Sequence, residues 1–188
     1  MSDQDLGPTL VRLFPTSLQW LYDHFLELPE EDRYLRFGFA IKDHQIKKYL
    51  EATLVNPSAS RTDANFWFAI KIDNTICATL HIAIVGGKAE FAFTTNKEHR
   101  GKKLGQILFA RGYQLINEYS IKVVTMQCLS VNAPMRHIAR KFGMTVITHG
   151  SDTDSTINIQ YPVPLKRIKE IVNAVVVDKD VPLDMMMG

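Results

Sequence analysis

Lys97, His99, Arg100, Lys102 and Lys103 crowd around Gly101 and Gly105. Downstream, Leu104, Ile107, Leu108, Leu115 and Tyr119 recur at helical spacing, with Gly112 among them where a backbone can approach a sheet. Upstream, Phe91 and Phe93 alternate with the smaller Ala92 and Thr94 after the turn signal Gly86-Gly87, which predicts a strand. A glycine-bearing turn that feeds a helix presents unpaired backbone N–H groups at the positive end of the helix dipole, and basic side chains beside it add to the attraction for an anion. The chemistry expected here is phosphate binding. A solvated basic loop that only caps the helix is the plainer alternative.

The spacing excludes two phosphate-binding patterns. The nucleotide P-loop has four residues between its glycines and then Lys-Ser or Lys-Thr, whereas Gln106 follows Gly105 here; the dinucleotide fingerprint Gly-x-Gly-x-x-Gly is also missing. Cys77 and Cys128 lie far apart in strand-like runs and read as buried thiols of a reducing compartment, with Cys128 as a nucleophile the remote alternative. The six His are scattered without metal-ligand spacing, so no metal is expected.

The elements that must carry the loop read in order. Thr9 to Leu13 suggests a short strand, and Ser17 can cap a helix to about Leu28, ended by Pro29. Glu30-Glu31-Asp32 opens an aromatic-rich connection, Arg33 to Phe39, expected to line a core or a substrate wall. Asp43 is expected to cap a second helix to about Val55, followed by a turn at Asn56 to Ser60. Asn65 to Ile72, Thr75 to Val85 and Lys88 to Asn96 read as strands joined by the two-residue turns Asp73-Asn74 and Gly86-Gly87, which suit antiparallel hairpins. Beyond the loop and its helix come a strand, Ile121 to Leu129, and a helix, Asn132 to Phe142, that stops at Gly143. Met144 to Thr148 and Thr156 to Val163 form a closing hairpin around the polar Gly150 to Asp154. Past Pro164, Leu165 to Val177 reads as a helix or an added strand, then a frayed tail.

At 188 residues one domain is expected, 1–163, with 164–188 as an extension. A formal net charge of +2 is too small for bulk nucleic-acid binding. No apolar run approaches the roughly 20 residues of a membrane span, and Met1 to Asp5 is unlike a secretory leader. A cytoplasmic protein without membrane or nucleic-acid partners is expected, with a homodimer through strand exchange of the extension as one arrangement.

From Arg100 to Gly105 the loop resembles the acetyl-coenzyme A loop of the GNAT N-acetyltransferase superfamily, Gln/Arg-x-x-Gly-x-Gly/Ala. Arg100 takes its first position and Gly105 its last, while Lys103 stands where the middle glycine usually sits, either losing a close backbone approach or adding a cation. The order of elements over residues 9 to 163 agrees with that superfamily. So does Asn132 through Met144, where Asn132 opens the second cofactor-side helix and Lys141 and Gly143 fall in step, with Met144 in place of an aromatic. The resemblance implies an α/β (α+β) GNAT fold, a mixed, mostly antiparallel sheet of six to seven strands flanked by helices. It implies acetyl-CoA as cosubstrate, contacted by Arg100, Gly101, Lys102, Lys103, Leu104, Gly105 and Gln106, by backbone groups of Phe93 and Thr95, and by Asn132 and Met135.

Acetyl transfer to an amine needs a deprotonated nucleophile. Glu90 is the carboxylate of the strand Lys88 to Asn96, in an Ala-Glu-Phe-Ala context similar to the catalytic glutamate of bacterial protein-lysine acetyltransferases, a branch that Arg33 to Phe37 also resembles. Glu90 is thus the expected general base, with an exposed strand glutamate as the alternative; His81 and His99 have suitable intrinsic pKa values for the same task. The tyrosine that many relatives use as general acid is replaced by Ala139, so the thiolate leaves unaided or Ser130 serves. The expectation is an N-acetyltransferase acting on a primary amine, protein lysine favoured, with a polyamine or aminoglycoside as further cationic acceptors drawn by Glu27, Glu30, Glu31 and Asp32. The competing expectation is a GNAT-fold module that binds coenzyme A and catalyses nothing.

Overall fold

The computed structural model describes residues 8–55 and 63–159. The expectations for Asn56 to Ser60, for 160–163 and for the extension 164–188 lie outside the described residues.

β1 (Thr9–Leu13) leads through a 3₁₀ turn at Pro15–Ser17 into α1 (Leu18–Glu27), then α2 (Glu30–Phe37) and α3 (Asp43–Leu50), which continues as a π-turn, Glu51–Val55. β2 (Asp63–Ile72), β3 (Thr75–Val85) and β4 (Lys88–Thr95) form an antiparallel meander. α4 (Leu104–Glu118), β5 (Val123–Leu129), α5 (Ala133–Lys141), β6 (Thr145–His149) and β7 (Asp152–Asn158) complete the described residues. Among the described residues the sheet has seven strands in the order β1-β2-β3-β4-β5-β7-β6. Its turns follow the sequence signals: Asp73 and Asn74, and Gly86 and Gly87, all take positive φ, as a type I′ hairpin turn requires.

Three expectations are corrected. Glu30 to Phe39 is no open connection, since Glu30–Phe37 is helical. None of its residues is buried, so it lacks the apolar stripe that betrays a packed helix; its marks are an acidic first turn and Gly38 at φ 77°, whose N–H closes onto Tyr34 O. The second helix starts from Lys42 rather than Asp43 as its cap. The polar segment at 152–154 belongs to β7, leaving only Gly150 and Ser151 as the turn. Thr153, Ser155 and Ile157 alternate inward there, and small hydroxyl side chains hide that period from a hydrophobic reading.

The sheet separates two apolar clusters. One is built on α4 with Phe91, Phe93, Phe109 and Phe142, where Phe109 stacks on Phe142 at 4.1 Å. The other joins α1 and α3 to Trp67 and Ala69. Gly112 lies where a Cβ would come within 2.7 Å of Phe91, so the expected close approach of α4 to the sheet is present.

β4 and β5 are parallel neighbours for only Lys88↔Val123, Ala89↔Val124 and Glu90↔Thr125. Beyond Glu90 the strands part, while β4 continues on β3 and β5 continues on β7. The opening between them is where the loop Asn96–Lys103 and the N-terminus of α4 sit.

Candidate active site

The alternation of β4 determines what faces the opening. Asn96 N–H donates to Cys77 O, so the even-numbered residues of β4 exchange backbone bonds with β3 and the odd-numbered ones turn their N–H and C=O to the other edge. Phe93 and Thr95 therefore present backbone groups to the gap left by β5. Their side chains do different work: Phe93 stacks parallel to Phe109 in the core.

A cleft of about 670 Å³ runs along this gap. Phe93, Thr95, Arg100, Gly101, Lys103, Leu104, Gly105, Gln106, Asn132 and Met135 all line it, so the structure brings together nearly every residue expected to meet a cofactor. Lys102 does not line it. Neither does Ser130, half-buried in the turn after β5 beside the lining residue Val131, with its N–H bonded to Ser151 O. Glu90 is exposed at the last rung of the β4–β5 pairing, at the apex of the opening and outside the lining.

The loop is shaped by backbone conformation. Gly101 has φ +78°, and Lys103 adopts the left-handed conformation, φ 60° and ψ 13°, as the N-cap of α4. That is the conformation a glycine takes freely, so the lysine preserves the turn and adds a charge. The first helical bonds run from Gln106 and Ile107 to Lys103 O, which leaves Leu104 and Gly105 in the unpaired first turn facing the cleft. Gly105 has a packing reason too: a Cβ would stand 2.8 Å from Ile138 of α5. The two cofactor-side helices are tied again by Lys141 Nζ donating to Gln106 Oε1 at 2.5 Å. Asn132 caps α5, its Oδ1 accepting from Met135 N–H at 3.3 Å, which leaves its Nδ2 donor for the cleft.

The opposite wall, made by α2 and by the other face of β4, is less legible from residue types. Leu28, Asp32, Leu35, Arg36, Thr94 and His99 line it. Arg33 fixes α2 in place: Nε donates to Leu28 O, Nη2 to Leu26 O, and Nη1 pairs with Asp43 at 2.7 Å. Arg100 meets Asp32 across the mouth of the cleft.

Two buried chains of hydrogen bonds back this wall. His24 Nδ1 donates to Ile76 O, so its neutral ring accepts at Nε2 from Thr94, whose Oγ1 lies 2.7 Å away, and Thr94 in turn accepts from Thr79. Burial lowers the His24 pKa to about 4. In the second chain Arg36 donates to Tyr49 Oη, Tyr49 donates to His81 Nδ1, and His81 Nε2 donates to Asn65 Oδ1. Burial, then the nearby Arg36 charge, lowers the His81 pKa to about 3, and Trp67 stacks on its ring. Burial raises the Tyr49 pKa, Arg36 opposes that rise and Glu90 adds to it, which places Glu90 on the same face as this chain.

Several alternatives fall away. His81 is neutral with both ring nitrogens engaged, so it is no free base. His99 lines the cleft with Nε2 3.5 Å from Cys77 Sγ. Burial raises the pKa of both Cys77 and Cys128, the reverse of what activates a nucleophilic thiol. Ala139 is fully buried and adds nothing to the cleft. Among the described residues no group of His, Cys, Asp and Glu could hold a metal, and no helix is long and apolar enough to cross a membrane.

Comparison with known proteins agrees with this geometry. The family model described as acetyltransferase (GNAT) family matches residues 17–144. The GNAT domain of Streptomyces lividans PAT (S. lividans) superposes with a TM-score of 0.69 at 17% identity, over 80% of this chain and 89% of that one. The PaiA N-acetyltransferase of Thermoplasma acidophilum, solved with coenzyme A, gives 0.63 at 19% identity over 82% and 100%. The spermidine N-acetyltransferase of Vibrio cholerae, solved with CoA and spermine, gives 0.63 at 13% identity over 81% and 95%. These likenesses are of fold. A search of curated protein sequences finds no match.

Proposed function

The chain belongs to the acetyltransferase (GNAT) family, with acetyl-CoA as its cosubstrate, and from that premise we propose that it acetylates a cationic primary amine with Glu90 as general base. Protein lysine is the favoured acceptor; polyamines and aminoglycosides share the chemistry.

The observation that carries the reading is the parting of β4 from β5, with the basic loop at its open end and Glu90 at its apex. The diphosphate lies against the first turn of α4 and the amides around Gly101, with Arg100 and Lys103 as counter-charges. The pantetheine arm runs along Phe93 and Thr95 as a missing strand would, and Asn132 Nδ2 donates to it from the far side. This directs the thioester towards the apex. Lys102, outside the lining, contributes charge rather than contact.

There the amine loses a proton to Glu90, directly or through a water, and its lone pair attacks the thioester carbonyl. The new C–N bond forms, the C–S bond breaks, and the second proton leaving the nitrogen goes to the thiolate, with Ser130 in the turn after β5 as the relay that gives its proton to sulfur and takes the one from nitrogen. A thiol is acidic enough, with a pKa of about 8.5, that this last transfer contributes little. A groove of about 860 Å³ beside the cleft, walled by Glu30, Glu31, Asp32 and Asp43, supports a cationic acceptor.

The test is acetyl-CoA turnover with lysine peptides, spermidine and an aminoglycoside. Glu90→Gln is expected to lower kcat by about 10²- to 10⁴-fold while acetyl-CoA still binds, and Ser130→Ala to lower it far less. Unchanged turnover in Glu90→Gln removes it from the role.

A further inference from the structure

Asp32 stands where the cleft and the acidic groove meet, and both it and Arg100 form part of the wall of each. Its side chain is 10% exposed, and Arg100 Nη2 approaches its Oδ2 to 2.5 Å. That ion pair is what offsets the charge of this largely buried carboxylate. The neighbouring Arg33 cannot replace it, since its guanidinium is committed to Leu26, Leu28 and Asp43. Asp32 thus depends for compensation on a cation that belongs to the cofactor loop.

We propose that Asp32 stands in for the cofactor diphosphate in the empty protein, holding Arg100 across the cleft mouth until acetyl-CoA displaces it, and then takes a cationic group of the acceptor in the groove. This rests on reading Arg100 as a phosphate ligand. A diphosphate wins the exchange because it offers more charge and more acceptor oxygens than one carboxylate, and the helix end shares it. Once Arg100 is committed to phosphate, Asp32 joins Glu30 and Glu31 as uncompensated charge on the groove wall, where Lys42 is the other cation besides Arg33. The affinity of the groove for the acceptor then rises when the cofactor is in place.

Calorimetry on the full chain at fixed ionic strength reads both halves. Asp32→Asn is expected to bind acetyl-CoA about twofold to tenfold more tightly than wild type, the range for releasing a partly exposed ion pair, and to show no such gain in an Arg100→Ala background. Spermidine, the polycationic probe, is expected to bind CoA-loaded protein more tightly than empty protein, and Asp32→Asn to abolish the difference. Should the asparagine variant lose its cooperative melt, Asp32→Ser repeats both arms. Unchanged or weaker acetyl-CoA binding by the Asp32 variants overturns the exchange, as does a spermidine affinity indifferent to loading. Wild-type acetyl-CoA affinity in Arg100→Ala alone strikes the phosphate-loop reading itself, which distinguishes the two failures.

Discussion

Lys103 holds a left-handed backbone at the N-cap of α4, beside the loop that meets the cleft. By type it breaks the expected glycine pattern; by conformation, at φ 60°, it keeps it. Holding a non-glycine residue there costs roughly 1–2 kcal/mol, a penalty tolerable where the added charge helps bind phosphate. Lys103→Gly is therefore expected to raise stability by up to about 1 kcal/mol, after the greater chain entropy of glycine is counted, and to weaken acetyl-CoA binding several-fold. Lys103→Ala should weaken binding similarly without the stability gain, and thermal melts with calorimetry on the pair separate charge from backbone. The loop residues were legible because their types, Arg, Lys and Gly, announce their chemistry. Thr94 was not, because its part in the cleft depends on which elements bring it there.

Among the elements, α2 was the one read as a connection rather than as a regular element. Helices that bury a stripe, such as α4, write their period into the sequence; α2 buries no residue fully, meets the core through half-buried Phe37, and is otherwise held by polar ties. Arg33 carries most of them, so Arg33→Ala is expected to destabilise the fold by roughly 2–4 kcal/mol and Arg33→Lys by nearly as much, since an ammonium cannot span the same acceptors. Loosening α2 moves one wall of the cleft, and KM for acetyl-CoA should rise with it. Chemical denaturation and initial-rate kinetics on the two variants check both. On the other face, Gly112→Ala would drive a Cβ into Phe91 and Leu80 and is expected to cost about 1–3 kcal/mol by the same denaturation assay. That glycine could be picked out from its place on an apolar helix face; Gly105 looked like a cofactor residue alone, and its contact with Ile138 could not be inferred without knowing how α4 and α5 cross.

For the whole molecule, the order of elements and the antiparallel meander followed from turn signals and period, while the place of β7 between β5 and β6 did not, its inward positions being Thr and Ser. Burial of His24 and His81 has a global consequence. Their pKa values fall from 6.5 to about 4 and about 3, so between pH 6.5 and those values the unfolded chain binds protons that the native protein refuses. Stability is then fully present above pH 6.5 and is lost as pH falls through that window, by on the order of 3 kcal/mol for His24 and on the order of 5 kcal/mol for His81. Melting temperatures should be level above neutrality and drop towards pH 4, and His24→Asn should flatten the slope.

Among the described residues, Lys88, Ala89 and Glu90 alone join the meander to the β5–β7–β6 portion through the sheet, so it is sewn by a very short seam. An arm laid into the gap works as a suture, adding rungs that the polypeptide leaves out. Hydrogen exchange should therefore slow at the Phe93 and Thr95 amides on loading, and the two portions should unfold more nearly as one body, so that the enzyme is mechanically whole only while it holds its cosubstrate.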